Sequence, residues 1–180
     1  ALTAMGNHKG TIGVYNYKTG EILCAVTAPT YDPENVPDIQ NDTTGQYTGV
    51  YLNRFVQSTY VPGSIFKIVT LAAALETIPD IMDRTYTCTG LLEFGDDRVT
   101  CEKAHGTLTF KEAFARSCNC AFAQIAQQIG SERMMEYIQK FKVVDSISFD
   151  GITTAKGNYD VVDAALFQIG DNAFLLGIGY

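Results

Sequence analysis

The chain has 180 residues, 46% of them apolar, with 13 Lys and Arg against 20 Asp and Glu for a net charge of −7. That size and apolar share suit one globular domain, or a large part of one, built around a real core. The acidic balance and the lack of any Lys/Arg cluster argue against nucleic acid as a partner, and no run approaches the roughly 18 apolar residues of a membrane span.

No signal peptide opens the chain, and Ala1 reads as an arbitrary start, so segments upstream of it are expected. Gly10–Tyr17 and Glu21–Ala28 read as two strands, rich in β-branched and aromatic residues. Lys18-Thr19-Gly20 between them predicts a hairpin turn with Gly20 at positive φ. From Pro29 to Thr48 the composition turns to Pro, Asp, Asn, Thr and Gly, which predicts a long irregular loop lining a binding surface or lid. Pro62-Gly63 then introduces Ser64 at the N-cap or first turn of a helix that runs to Glu76 and stops at Ile78-Pro79. That helix carries almost no polar residue, which predicts burial on all sides. Tyr86–Leu92 and Asp97–Cys101 read as a strand pair turning near Gly95-Asp96. Thr109 predicts a helix cap, Ser117-Cys118-Asn119 an interruption, Cys120–Ile129 a second helix stopped by Gly130, and Ser131 a third ending near Phe141. Lys142–Asp160 supports no element, Val161–Phe167 reads as a short helix, and the chain ends through Leu176-Gly177-Ile178-Gly179-Tyr180 without a closing element. A two-stranded sheet would be marginal and would leave long unpaired edges, so further strands are expected after Tyr180.

Ser64 and Lys67 are three residues apart and share one helix face. A serine hydroxyl attacks well only if its proton has somewhere to go, and a lysine desolvated in a helix bundle can accept it. Taken alone, S-x-x-K reads first as a helix cap with a snorkelling lysine, and Ser117 and Asn119 as turn and cap residues. Their order along one chain favours chemistry, because S-x-x-K, then S-x-N, then K-[ST]-G is a signature of penicillin-recognising serine enzymes.

The chain resembles the penicillin-binding protein transpeptidase domain, most closely the monofunctional (class B) type, over nearly its whole length. The resemblance rests on Ser64-Ile65-Phe66-Lys67 and Ser117-Cys118-Asn119 and on their flanks: Thr19-Gly20-Glu21-Ile22-Leu23, Ala28-Pro29-Thr30-Tyr31-Asp32-Pro33, Asn53-Arg54, His105-Gly106 and Ala113-Phe114-Ala115-Arg116. It implies an α/β (α+β) fold of the serine β-lactamase-like type: an antiparallel sheet flanked by helices, with a helical region carrying Ser117 and Asn119, and residues 1–180 forming part of one transpeptidase domain. It implies a D,D-transpeptidase of peptidoglycan synthesis, a target of β-lactams, on the extracytoplasmic face of the bacterial membrane and anchored by a segment outside this chain. Ser64 would attack a D-Ala-D-Ala stem peptide, Lys67 would take its proton, Ser117 would relay a proton to the leaving amine, and Asn119 would hold Lys67 and the substrate amide. The Ser64 backbone N–H would be one oxyanion donor. Other cell-wall synthesis proteins are implied as partners, and no cofactor or metal is counted in the site. A β-lactamase or D,D-carboxypeptidase of the same superfamily, or a non-catalytic penicillin-recognising sensor or scaffold, are the alternatives.

No K-[ST]-G follows Asn119, and the third motif is expected downstream; Lys18-Thr19-Gly20 matches its letters but sits in the first hairpin. A polypeptide ending at Tyr180 is therefore expected to be a poor transpeptidase, since losing one oxyanion donor costs about 10²–10³ in rate. Five cysteines, Cys24, Cys88, Cys101, Cys118 and Cys120, are too few for a disulfide scaffold. Three readings stand: free thiols, a Cys88–Cys101 disulfide across the hairpin, or a zinc ion held by Cys88, Cys101, His105 and one of Cys118 or Cys120. Cys118 itself reads as packing, His8 as solvated, and the Asn41-Asp42-Thr43 sequon as uninformative.

Overall fold

A computed structural model describes residues 1–94 and 97–157. The Gly95-Asp96 turn, the Val161–Phe167 helix and the chain end at Tyr180 lie outside the described residues. The chain divides into two compact units, one of Ala1–Thr59 with Ser146–Ala155 and a larger one containing Tyr60–Asp145.

The smaller unit opens with a single helical turn, α1 (Leu2–Met5), and the antiparallel pair β1 (Gly10–Tyr15) and β2 (Ile22–Ala28), in register from Gly10 opposite Ala28. The strands end slightly short of the sequence expectation because the turn takes more chain. Asn16 N–H donates to Glu21 O and Gly20 N–H to Asn16 O, both at 2.8 Å. Gly20 takes φ +77°, where a side chain would be strained. The stretch after Pro29 is irregular, as expected, and is organised by Asx turns in which Asp32, Asp38 and Asp42 accept from the amides of Glu34, Gln40 and Thr44. It leads to the short helix α2 (Arg54–Gln57), capped by the Asn53 side chain.

In the larger unit a 3₁₀ turn, Gly63–Phe66, runs into α3 (Lys67–Thr77). Ser64 lies within that first turn and its side chain caps nothing. The helix is not buried on all sides: Val69, Thr70, Ala73 and Ala74 are buried, but Ile68 is 46% and Leu75 50% exposed. Ala73 and Ala74 have no side chain beyond Cβ and are fully buried, so neighbouring elements close over them, while Ile68 and Leu75 remain open.

The strands that follow differ from the expectation. β3 (Thr85–Cys88) pairs with β6 (Gly106–Thr109), and only β4 (Leu91–Phe94) pairs with β5 (Asp97–Thr100). The expected single strand Tyr86–Leu92 breaks at Gly90, which has φ +93° and space for a Cβ only 3.2 Å from the Ala104 backbone nitrogen. All strand pairing is antiparallel, and the described strands pair two by two.

Thr109 starts α4 (Phe110–Ala115) through a capping box, its Oγ1 accepting from Glu112 N–H at 3.2 Å while Glu112 Oε2 accepts from Thr109 N–H at 2.9 Å. α5 (Asn119–Ile129) ends at Gly130, and α6 (Ser131–Lys140) follows at once. Leu108, Phe110, Ile125, Met134 and Ile138 are at most 2% exposed and form one core with Phe66, Tyr86 and Phe122. Each such large side chain contributes about 1.5–3 kcal/mol on burial. The core grips α3 from its buried side and so fixes where its first residue, Lys67, points. A last hairpin, β7 (Ser148–Phe149) and β8 (Ile152–Thr153), belongs to the smaller unit and turns through Asp150-Gly151, at φ 45° and 77°. The sequence reading placed no element there, although Asp-Gly is a favoured two-residue hairpin turn.

Candidate active site

The four residues singled out from sequence meet at one point in the larger unit. Lys67 Nζ lies 3.1 Å from Ser64 Oγ, 2.9 Å from Ser117 Oγ, 2.9 Å from Ser117 O and 2.6 Å from Asn119 Oδ1. Ser117 Oγ donates to Ser64 Oγ at 3.0 Å, closing a triangle of two hydroxyls and an amine. Lys67 is only 2% exposed, while Ser64 and Ser117 are exposed. The two hydroxyl-bearing residues therefore lie at the surface with the amine beneath them. The Phe122 ring centroid, 5.9 Å from Nζ, forms part of the wall.

Burial lowers Lys67 from 10.5 to about 8, against an opposing pull from Cys101 and Cys118. A neutral amine has two N–H bonds and one lone pair. Ser117 O and Asn119 Oδ1 can only accept, so they engage the two N–H groups and leave the lone pair to the hydroxyls. That is the arrangement a proton acceptor for Ser64 requires.

Ser117 owes its place to the end of α4. Ser117 N–H donates to Phe114 O and Cys118 N–H to Ala113 O, both at 2.9 Å, the bond pattern of a Schellman turn. The residue at this point of the turn is usually glycine, because it is left-handed. Here Ser117 takes φ +50°, at a cost of about 1–2 kcal/mol. Cys118 then caps α5, its Sγ accepting from Ala121 N–H at 3.4 Å, and Asn119 is the first helical residue. Asn119 Nδ2 donates to Thr100 O at 3.0 Å, which orients the amide so that Oδ1 faces Lys67. Sequence reading missed Thr100 and Phe122; the first acts through its backbone and the second through a contact, so neither carries a motif.

The cysteines are all free thiols. The Cys88–Cys101 disulfide is not formed: Cys88 ends β3, whose partner is β6, and Cys101 lies beyond β5 with its backbone amide on Gly90 O. The Cys88, Cys101 and Cys118 sulfurs and a His105 ring nitrogen nonetheless lie within 4.8 Å of one another. At Cys88 burial opposes ionisation, but hydrogen bonds from the His105 and Gly90 amides and the His105 ring outweigh it and bring the thiol to about 6. Burial pushes Cys118 up to about 12. Lys18 lies exposed in the β1–β2 turn, its Nζ near the Tyr17 ring, and His8 is exposed.

Among the described residues no helix is long and apolar enough to cross a membrane. Residues 10–176 match the penicillin binding protein transpeptidase domain. Stage V sporulation protein D of Bacillus subtilis is 36% identical over 129 residues, covering 70% of this chain and 19% of that protein. The D,D-transpeptidase domain of a peptidoglycan glycosyltransferase from Eggerthella lenta superposes with a TM-score of 0.76 at 30% identity, covering 87% of this chain and 38% of that one. Penicillin-binding protein A from M. tuberculosis, solved as an imipenem acyl-enzyme complex, superposes with a TM-score of 0.73 at 25% identity, covering 90% and 41%. The chain thus spans about a fifth of the length of the sporulation relative and about two fifths of these solved chains. With the match extending over residues 10–176, the chain belongs to the penicillin-binding protein transpeptidase family.

Proposed function

We propose that this chain supplies the nucleophile and proton-transfer groups of a D,D-transpeptidase that cross-links peptidoglycan stem peptides and is acylated by β-lactams. One observation carries the reading: a buried Lys67 amine, lowered to about 8, within 3.1 Å of an exposed Ser64 hydroxyl that Ser117 also reaches. Lys67 takes the Ser64 proton as Oγ attacks the carbonyl of the penultimate D-Ala. The Ser64 backbone N–H, in the first turn of its helix, is placed to bind the oxyanion. As the tetrahedral intermediate collapses, the C–N bond breaks and Ser117 Oγ gives its proton to the departing D-Ala amine, drawing a replacement from Lys67. The amine of a neighbouring stem peptide then attacks the acyl-enzyme and Lys67 takes its proton; as the acyl C–O bond breaks, Lys67 returns that proton to the departing Ser64 Oγ, 3.1 Å away, and the serine is regenerated. The imipenem acyl-enzyme complex of the M. tuberculosis protein A supports a covalent acyl-enzyme intermediate of this kind. Action on the outer face of the membrane fits the same reading, and the Helicobacter pylori penicillin-binding protein PBP2 has been solved in complex with MreC, a partner protein of its own.

The test is intact mass after incubation of the full-length protein with a penicillin. The expected result is one penicillin adduct, absent in Ser64→Ala. No adduct on the wild-type protein would sink the enzyme reading in favour of a penicillin-recognising scaffold, and rapid hydrolysis of the adduct would favour a β-lactamase.

A further inference from the structure

We propose that Cys88, Cys101, His105 and Cys118 bind one Zn²⁺ in a tetrahedral Cys₃His site, and that the ion holds the Ser117–Asn119 turn in its acylating position. The second half rests on the function proposed above; the first half does not.

The geometry is that of a tetrahedron. With Zn–S of about 2.3 Å and Zn–N of about 2.0–2.1 Å, sulfur–sulfur edges are about 3.8 Å and sulfur–nitrogen edges about 3.6 Å. Cys101 Sγ and Cys118 Sγ are 3.7 Å apart, and Cys88 Sγ and His105 Nδ1 are 3.5 Å apart. All four ligand atoms fall within 4.8 Å of one another. Three thiols and an imidazole in this arrangement select zinc over the hard cations, which take oxygen ligands.

Packing does not account for the cluster. A buried free cysteine behaves as a small apolar residue and needs no imidazole nitrogen beside it. Cys120 supplies the contrast: it is as buried as Cys88 and Cys118 and neighbours the cluster, but its Sγ donates toward Val99 O at 3.7 Å and it is not one of the four converging ligands. The sulfurs in the group are also served by backbone amides, Cys120 N–H donating to Cys101 Sγ at 3.3 Å and Ala121 N–H to Cys118 Sγ at 3.4 Å. Such N–H···S bonds stabilise thiolates and orient metal ligands. Binding sends the thiol protons to the buffer.

The coupling follows from chain position. Cys118 sits between Ser117 and Asn119, and both neighbours bond Lys67 Nζ. Ser117 is held left-handed, a conformation its own side chain disfavours. Tying Cys118 through the ion to Cys88 at the end of β3, and to Cys101 and His105 in the segment between β5 and β6, anchors this turn from outside its own helices. A misplacement of about 1 Å in such a site can cost about 10²-fold in rate.

Full-length protein purified without chelator is expected to carry about one zinc per chain by plasma mass spectrometry. Exchange for Co²⁺ should give thiolate-to-cobalt charge transfer and the strong visible bands of a tetrahedral ion. Cys101→Ser should lose the metal, whereas Cys120→Ser and Cys24→Ser should keep it. Little zinc together with no cobalt charge transfer overturns the site, and these readings on the wild-type protein do not depend on any variant folding. Stripping the zinc should slow the first-order penicillin acylation step about 10²-fold while leaving non-covalent penicillin affinity little changed, and added Zn²⁺ should restore it. Equal acylation constants for stripped and reloaded protein overturn the coupling but leave the site and the Ser64 reading standing. Absence of acylation in both forms removes the Ser64 reading and the coupling with it, while the zinc content still judges the site.

Discussion

Asn119→Asp puts the role of Lys67 under a direct test. The substitution keeps the shape of the side chain and places a carboxylate oxygen where Oδ1 now stands, 2.6 Å from Nζ. An opposite charge this close favours the ammonium and raises a lysine by about 1–3 units. From its native value of about 8, Lys67 would move to about 9–11. An acylation rate that needs the neutral amine rises tenfold per pH unit below the lysine pKa and levels off above it. The native protein should therefore level off near pH 8, and the variant should still be climbing at pH 9 or above. At pH 7 the variant should acylate about 10- to 10³-fold more slowly, the same factor expressed in rate. Folding should survive with a modest loss. A carboxylate at the start of α5 interacts favourably with the helix dipole by about 0.3–1 kcal/mol, offset by the lost donor to Thr100 O. The assay is stopped-flow acylation by a fluorescent penicillin from pH 6 to 10, with Asn119→Ala as the control that removes the acceptor without adding charge. If the Asp variant levels off at the native pH with only a lower plateau, Lys67 is not the group that takes the Ser64 proton.

Ser117→Gly should split stability from activity. Relief of the left-handed strain should raise Tm by about 2–8 °C, while loss of the hydroxyl lowers acylation by about 10²–10⁴-fold; a loss of both together would mean that the serine is kept for the fold. Thr109→Ala opens the capping box of α4 and should cost about 1 kcal/mol, a fall of about 2–4 °C in a melting curve, with penicillin labelling retained. Phe110→Ala, at a site 2% exposed and stacked near Phe122, should cost about 3–5 kcal/mol in a urea titration. Lys18→Ala should leave acylation unchanged; a clear loss would give its Lys-Thr-Gly turn a role that its exposed place between β1 and β2 does not suggest.

The pairing of Ser64 with Lys67 was legible because it is local: three residues on one helical turn must share a face, whatever the rest of the chain does. The meeting of Lys67 with Ser117 and Asn119 was not legible in that way. It spans about fifty residues and depends on α3 packing against α5, helices whose Ala73, Ala74 and Ala121 are fully buried yet carry no signal beyond being small. For those two residues the family resemblance supplied what periodicity could not. The helix caps at Thr109 and Gly130 were readable for the same local reason as Ser64 and Lys67, since a cap is set by the few residues around it. The exposed side of α3 was misread because an apolar composition states how much surface a helix wants to bury, and not which side its neighbours reach.

Strand pairing is where local reading failed, and the cysteines show why. A hairpin over Tyr86–Leu92 and Asp97–Cys101 treats Cys88 and Cys101 as opposite ends of one ladder. The actual register sets Leu91 opposite Thr100, and Cys101 N–H bonds Gly90 O, so Cys101 faces Gly90 and Cys88 lies further along the chain. Gly90 then releases Cys88 into a different pair, with β6, whose first residue Gly106 follows His105 and lies opposite Cys88. That non-local pairing is what brings His105 beside Cys88, and the His105 amide donates to Cys88 O at 3.1 Å. From sequence alone the neighbours of Cys118 are Ser117 and Asn119, and packing is the default role for a thiol so placed. Once β3 pairs with β6, the same thiol is 3.7 Å from one sulfur and grouped with another and an imidazole. The residue in the middle of the S-x-N motif therefore joins two systems: through the chain it adjoins both side chains that hold Lys67, and through its sulfur it reaches the strands. A change at Cys118 should for that reason disturb acylation more than its burial alone would suggest.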